Sequence, residues 1–525
     1  MEESATARLR LRVGAKAWVV VLAGMVAGAP VRAQTLAHKG WAGNGMSVAP
    51  WWKSAEFYLL DPLSFQDSNG DGFGDLNGIA SRLDYLRGLG VDAIVLSPFE
   101  LRVPSAGPPG SAVAAPMWEA VYGTEDDFER LEQEASRRNI RLVVDLSLNA
   151  TESPEAMLGK ARFWLSRGVG GLRLVAPAHA SAEATLSDGD REERVRMLRR
   201  LCAGYVGERV LVGDLQGTMP MEVARTVSAK GRAAGAGIAA PQLDVDERLA
   251  ELTAWNATVL RGFLGVSNGQ LPGSVSASDT PDRLRSWDRL SGSLSGTDAD
   301  AIAKMVATVL LTGREEPMLY YGQEIGMATE AAVAPSGNGA GAPGKNAFAP
   351  TPMQWGESHD GQPSFTTGVP WIEMGPNAAT ANVAFEDADK ESLLNWYRTL
   401  SGLRHTHEAL QGGSVTVVDT GYPDVVAWVR RGAGGKDLAS KQQTVLVVCN
   451  LSARPVVISL EEPLRQVGVQ ANSGVNPLAT SFEPTRVSYT ATGIALPAYG
   501  VYLGEVLHPG LEDAPAPVIR HRRGL

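Results

Sequence analysis

Two cysteines, Cys202 and Cys449, are all that the chain carries in 525 residues. They fall in stretches of different pattern, so no disulfide framework is implied and no zinc-type spacing exists. Two buried free thiols are the plain alternative. The seven histidines show no ligand spacing either. Basic charge is short, with 48 Lys and Arg against 58 Asp and Glu and a net charge of −10. This deficit argues against nucleic acid or an anionic membrane as the main partner and leaves neutral polymers and small neutral ligands open. Long apolar runs are also missing. The one candidate, Ala17–Gly28, is shorter than the roughly 20 residues a membrane helix needs.

That stretch has another reading. Arg8, Arg10, Arg12 and Lys16 precede it, and Val31-Arg32-Ala33 follows as a small-x-small cleavage site before Gln34. Residues 1–33 therefore read as a signal peptide, and the protein as exported to the periplasm or the extracellular medium, with no membrane tie after cleavage. An uncleaved anchor is the other reading. Apolar residues make up 44% of the chain and charged residues 20%, a globular composition. The length suits a large barrel plus an appended module.

Short apolar runs alternate with helical patterns over most of the chain, the signature of βα units. Strands are expected at Glu56–Asp61, Val91–Pro98, Ile140–Leu146, Gly171–Ala176, Arg209–Asp214, Gly237–Val245, Gly273–Ser278 and Pro317–Tyr321. Helices are expected at Gly78–Leu89, from Thr124, at Pro154–Arg167, Ala301–Leu311 and Glu391–His405. Eight strands with intervening helices predict an α/β fold, a closed (β/α)8 TIM barrel. Residues 101–117 and 328–348 are rich in Pro, Gly, Ala and Ser and read as loops. Beyond the last helix, Val415–Val418, Val425–Arg430, Thr444–Asn450, Val456–Leu460 and Gly493–Leu503 read as a C-terminal antiparallel β-sandwich. The expected organisation is a signal peptide over 1–33, a linker over 34–50, the barrel over 51–410, the sandwich over 411–505 and a tail over 506–525.

Between the first strand and first helix, Asp67-Ser68-Asn69-Gly70-Asp71-Gly72-Phe73-Gly74-Asp75 sets oxygen ligands at alternate positions. Asp67, Asn69, Asp71, the Phe73 carbonyl and Asp75 form a hard donor set suited to structural Ca²⁺, and Gly72 permits the sharp turn. The twelfth position is Gly78, so the bidentate glutamate of an EF-hand is absent. An Asx-rich turn without metal is the alternative.

These residues carry a wider likeness. Trp51-Trp52-Lys53, Asp61-Pro62, Ser64-Phe65-Gln66-Asp67, the metal-type loop, Arg82-Leu83-Asp84-Tyr85-Leu86 and Leu96-Ser97-Pro98 resemble the start of glycoside hydrolase family 13, the α-amylase superfamily. Leu319-Tyr320-Tyr321-Gly322-Gln323-Glu324-Ile325-Gly326-Met327, Pro352-Met353-Gln354-Trp355 and Phe365-Thr366-Thr367-Gly368 resemble its oligo-1,6-glucosidase, α-glucosidase and trehalose synthase branch. The likeness runs from about residue 50 to 505. It implies a barrel with a C-terminal β-sandwich, and glycoside hydrolysis by two carboxylates at strand ends.

The chain departs from that pattern at the chemistry. The family's nucleophile position on strand four, after Gly171-Leu172-Arg173-Leu174, holds Val175, which can neither attack an anomeric carbon nor stabilise an oxocarbenium ion. The acid/base position holds Asp214, one methylene shorter than the family's glutamate, and a misplacement on that scale costs about a hundredfold. Asp279 matches the transition-state-stabilising aspartate, but Ser278 stands where a histidine is expected. Asp145-Leu146-Ser147-Leu148-Asn149-Ala150 likewise ends without its histidine. Residues 101–117 lack the family's Tyr-Asp pair. The connection after strand three has room for one helix where the family inserts a whole domain B. Arg173, Asp214 and Asp279 thus read as a remnant polar site, or as a buried ion pair of Arg173 with a carboxylate.

Three functions remain open on these grounds. One is a catalytically impaired pseudoenzyme of carbohydrate metabolism that binds α-glucan, an oligosaccharide or a protein partner. Another is an active or weak α-glucosidase-type hydrolase using Asp214 and Asp279. The third is a membrane-anchored accessory subunit. Trp118, Trp164, Trp255, Trp287 and Trp355 could stack on sugar rings, but a single tryptophan is more often core or interface, and none is assigned to a ligand.

Overall fold

The computed structural model describes residues 50–99, 120–175, 186–213, 245–249, 256–266, 274–281, 284–291, 296–329, 350–356, 364–432, 443–470, 473–483 and 490–507. The expected signal peptide, the linker up to residue 49, the 101–117 loop, Asp214, Trp118, Trp255 and the tail beyond Leu507 lie outside them.

Eight parallel strands close a barrel in chain order: β1 (Phe57–Leu60), β2 (Ala93–Leu96), β3 (Arg141–Ser147), β4 (Gly171–Val175), β5 (Val210–Gly213), β6 (Val245–Leu249), β7 (Ser274–Ala277) and β8 (Glu316–Tyr320). The expected TIM barrel is present. β1, β2, β5 and β8 are buried at every position, which is why their sequences read as continuous apolar runs. The sixth strand differs from expectation. It occupies Val245–Leu249, and most of the segment first read as that strand, 237–244, lies outside the described residues. Its sequence, VDERL, is charged enough to hide a barrel strand from any hydrophobicity pattern.

Local chemistry sets the helix ends. Thr124 and Asp127 form a reciprocal capping box at Glu125–Arg137. Ser153 caps Pro154–Ser166, with Pro154 in the first turn. The helix expected over Gly78–Leu89 is two helices, Leu76–Ser81 and Leu83–Leu89. Arg82 breaks the run, and Gly90 ends it in the left-handed region at φ 102°.

The C-terminal module starts at β9 (Ser414–Val418), with β10 (Val425–Arg431), β11 (Thr444–Asn450), β12 (Val456–Ser459), β13 (Gly474–Thr480), β14 (Thr492–Leu496) and β15 (Val501–Leu507) following. A five-stranded sheet in the order β13-β15-β11-β10-β9 faces a pair, β12-β14. The strand expected at Gly493–Leu503 is thus two strands, β14 and β15, which join different sheets; β13 gave no clear period. Alternation along the large sheet serves two cores. Trp428, Val445, Val447 and Leu503 pack with the barrel and its helices, while Ala427, Val429, Leu446 and Val448 pack toward β12 and β14.

One connection matters for the site. Between β3 and β4 the chain forms a single helix, Pro154–Ser166, tied by a Glu152–Lys160 ion pair at 2.9 Å, and then re-enters the sheet. Among the described residues, no helix is long and apolar enough to cross a membrane.

Candidate functional site

Register decides which side chains line the barrel mouth. Tyr58 and Tyr85 donate hydrogen bonds of 2.8 and 2.7 Å to the same oxygen of Glu324. Since Tyr85 lies on the helix Leu83–Leu89, Tyr58 faces the helical layer. Alternation turns Phe57, Leu59 and Asp61 to the lumen. Hydrogen-bonded partners share a face, so Leu59, Val95, Val143 and Gly171 are lumenal too. Two residues nearer the mouth, the same face carries Asp61, Ser97, Asp145 and Arg173. Ser97 N donates to Leu60 O at 3.0 Å, and Asp145 pairs with Arg173 in register. One step further out, Ser147 pairs with Val175.

Val175 therefore faces the mouth directly beyond Arg173, half-buried, with Ser147 as its neighbour on β3. Arg173 is buried and its guanidinium donates to Ser97 Oγ at 3.1 Å and Asp145 Oδ1 at 3.2 Å. Ser97 Oγ donates to Asp145 Oδ2 at 2.6 Å. The arginine thus has a carboxylate partner on the adjacent strand.

Asp279 is used differently. Its Oδ1 accepts from Ser286 N at 2.6 Å and its Oδ2 from Ser286 Oγ at 3.1 Å, and Arg289 approaches at 3.4 Å. These partners begin the helix Ser286–Ser291, so the carboxylate fastens the corner after β7. The cavity beside it, shared with Gln323, Trp287 and Tyr397, measures about 10 Å³, room for one water and not for a sugar. Burial raises the Asp279 carboxyl above its usual range, against the pull of Arg285 and Arg289. Ser278 Oγ accepts from Gln323, which also donates to Tyr397.

Sequence reasoning passed over Asp61. This carboxylate ends the β1 run, is 5% exposed, and caps the helix Pro62–Phe65 through Leu63 N. Burial pushes it up to about 7, partly offset by the Leu63 N–H. The signal was available: an acid directly after four apolar strand residues is a mouth position in any barrel.

The metal-type loop is closed by its own hydrogen bonds. Asp67 Oδ1 accepts from Asn69 N and Gly70 N at 2.9 and 2.8 Å, and Oδ2 from Gly72 N at 2.9 Å and from the Thr366 hydroxyl. Asn69 and Asp71 each accept from the amide two residues on. Asp75 accepts from Ser68 and Gly78. Phe73 stacks on Trp371 with centroids 6.1 Å apart. Among the described residues, no three His, Cys, Asp or Glu side chains converge as a metal-holding group. The donor chemistry still suits a hard cation, because Asn69 and Asp71 stand exposed on the loop, where Asp71 Oδ2 is not used by the Asx turn and Asn69 Oδ1 keeps a second lone pair.

Of the tryptophans, Trp164 is sealed in an aromatic cluster with Phe99 and Phe128, and Trp355 donates to Phe65 O at 2.7 Å. Both are core. Cys202 and Cys449 are buried free thiols.

Comparison with known proteins agrees with this geometry. Residues 59–157 and 282–413 match the family "Alpha amylase, catalytic domain". The unmatched stretch between them contains β4, β5, β6 and β7, where the nucleophile and acid/base positions and Asp279 fall. Curated relatives include the oligo-1,6-glucosidase of Bacillus cereus, 25% identical over 79% of this chain and 93% of the relative. The glucan 1,6-alpha-glucosidase of Streptococcus pneumoniae serotype 4 is 25% identical over 80% of this chain and 95% of the relative. The trehalose-6-phosphate hydrolase of Escherichia coli K12 is 26% identical over 77% and 91%. Among solved structures, the trehalulose synthase of Pseudomonas mesoacidophila MX-45 superposes with a TM-score of 0.64 at 22% identity, covering 88% of this chain and all of that one. The isomaltulose synthase of Klebsiella sp. LX3 gives 0.65 at 20% identity, with coverage of 88% and 100%. These two likenesses establish the fold. With the barrel, the C-terminal sheets and the matched segments taken together, the chain carries a domain of the α-amylase family, glycoside hydrolase family 13, with oligo-1,6-glucosidase-like and α-glucosidase-like homologues.

Proposed function

We propose that this chain is an exported, catalytically impaired member of its family that binds an α-glucan or oligosaccharide at the C-terminal mouth of the barrel. One observation carries the reading: Val175 lies lumenal beyond Arg173, at the family's nucleophile position, with Ser147 beside it. Retaining hydrolysis needs two carboxylates about 5–5.5 Å apart on either side of the scissile bond. Asp145 is engaged with Arg173 and Ser97, and Asp279 with Ser286 and Arg289. The single helix between β3 and β4 supports the absence of an inserted domain B. A mouth without that wall stays wet, which weakens any electrostatic contribution to bond breaking. What remains suits recognition, since Ser147 and Asp61 offer donors and acceptors to saccharide hydroxyls beside the Arg173–Asp145–Ser97 network. The relatives' printed names, glucosidases of 1,6-linked glucans among them, favour that ligand class. Export rests on the N-terminal sequence pattern.

We also propose structural Ca²⁺ in the loop after β1, with Asp67, Asn69, Asp71, the Phe73 carbonyl and Asp75 as the residues that would hold it. Such an ion braces the loop and takes no part in chemistry.

Two assays on the secreted protein test the function. Calorimetric titration with maltotriose and isomaltotriose at millimolar concentration is expected to give saturable heat for at least one of them; no heat with either removes the saccharide reading. Hydrolysis of 4-nitrophenyl α-glucoside is expected at the same background rate for the wild type and Asp214→Asn. A wild type clearly faster than that variant overturns the claim of impaired catalysis.

A further inference from the structure

Of the carboxylates at or near the strand ends described above, Asp145 and Asp279 each have an arginine within ion-pair distance, and Asp61 does not. Asp61 Oδ1 accepts from Leu63 N at 2.9 Å. Its Oδ2 has no hydrogen-bond partner among the described residues, yet it is not one of the sealed, unpartnered polar atoms of the interior. It therefore keeps a narrow access to solvent. A buried acid with one oxygen capped and the other open is costly unless something completes it.

We propose that Asp61 is the ligand-reading group of the barrel mouth, its open Oδ2 accepting a hydroxyl of the bound saccharide. The inference rests on the saccharide reading of the mouth. It gives a role to a residue that the family resemblance quoted only within a motif, just after β1 rather than on the strands that carry hydrolysis.

The surroundings make this contact sensitive to protonation. Tyr320 and Tyr321, at the end of β8, are the acidic groups that feel Asp61, and burial lifts both well above their usual range, so they stay neutral. The Arg285 guanidinium lies over both rings, 4.7 and 5.0 Å from their centroids, and donates to Tyr321 O. On the β2 side the register neighbour is the neutral Ser97, with the Asp145–Arg173 pair beyond it. Asp61 itself sits at about 7 through desolvation. Near neutral pH it passes from a carboxylic acid to a carboxylate, and a hydroxyl donating to a carboxylate makes the stronger, charge-assisted bond. Saccharide binding then pulls the proton off, and by linkage the affinity rises with pH.

Calorimetric titration of the full-length secreted protein with isomaltotriose and maltotriose tests this, using wild type and Asp61→Asn. Asparagine keeps the cap on Leu63 N–H, so the variant retains the helix start. For the wild type, affinity is expected to be about three- to tenfold tighter at pH 8.5 than at pH 5.5. At pH 7 the binding heat should vary with the ionisation enthalpy of the buffer, the sign of proton release. Asp61→Asn is expected to bind weakly, without pH dependence and without buffer dependence. Binding by the wild type that ignores pH and is unchanged in Asp61→Asn overturns this inference alone. No binding by the wild type at either pH overturns both it and the saccharide reading.

Discussion

Arg173 and Asp145 show how a residue can outlast the chemistry around it. Their side chains are 8% and 4% exposed and meet at 3.2 Å, with Ser97 bridging. Removing one partner leaves the other charge buried and unpaired, at a cost of roughly 3–5 kcal/mol, whereas replacing both with apolar residues of similar volume recovers most of it. Arg173→Met is therefore expected to lose about that much in urea denaturation, and Arg173→Met with Asp145→Leu much less. Equal losses in the single and double variants would show that the arginine's worth lies outside this pair. The sequence already carried this outcome as one alternative, an arginine kept for its carboxylate. It did not tell which carboxylate, and the register of β3 with β4 places Asp145 beside the arginine. Asp61 escaped notice for a related reason: nothing local distinguishes a strand-end acid from a helix cap, and here it is both.

At the scale of elements, strands with an apolar run in the sequence were legible and strands without one were not. Thr444–Asn450 is buried throughout and its sequence marks its bounds, while the charged β6 and the proline-bearing β13 have no period to find. The loop after β1 is the element whose chemistry was most legible and whose occupancy remains to be measured. Its carboxylates accept backbone amides within the loop, which stabilises the turn without a metal. Calcium adds stability only by binding the folded loop in preference to the unfolded chain. The expectation is a melting temperature a few degrees higher in millimolar CaCl₂ than in EGTA. Asp71→Ala, at an exposed position, should abolish that difference while leaving the EGTA value nearly unchanged. Identical melting of the wild type in both solutions would leave an Asx-rich turn and nothing more.

The whole molecule holds several acids out of water, and the far end of the barrel shows the consequence. Glu56, just before β1, is 1% exposed and faces His405 and Arg404 from the helix Leu393–Thr406, with Asp92 ahead of β2. His405 Nε2 lies 3.2 Å from Asp92 and Nδ1 lies 3.7 Å from Glu56. Desolvation lifts Glu56 to about 7, against Arg404 and His405, while the hydrogen bond to Asp92 raises His405 to about 9. A carboxyl raised in the folded state contributes stability that is full below its unfolded value, near 4.5, and is lost as pH rises through 7. A raised histidine contributes fully below 6.5 and loses its share as pH rises through 9. Asp61 and Glu316, both lifted to about 7 by burial, act in the same direction as Glu56. Asp127, held at about 2 by Thr124, acts oppositely, and its share is lost only as pH falls through 2. Stability in urea is therefore expected to peak at acidic pH, near 4, and to decline steadily toward pH 9. Glu56→Gln should flatten the part of the decline below pH 7, and His405→Gln the part above it. A wild-type stability that rises between pH 5 and 8 would show that these buried acids are relieved by contacts absent from this account of the barrel floor.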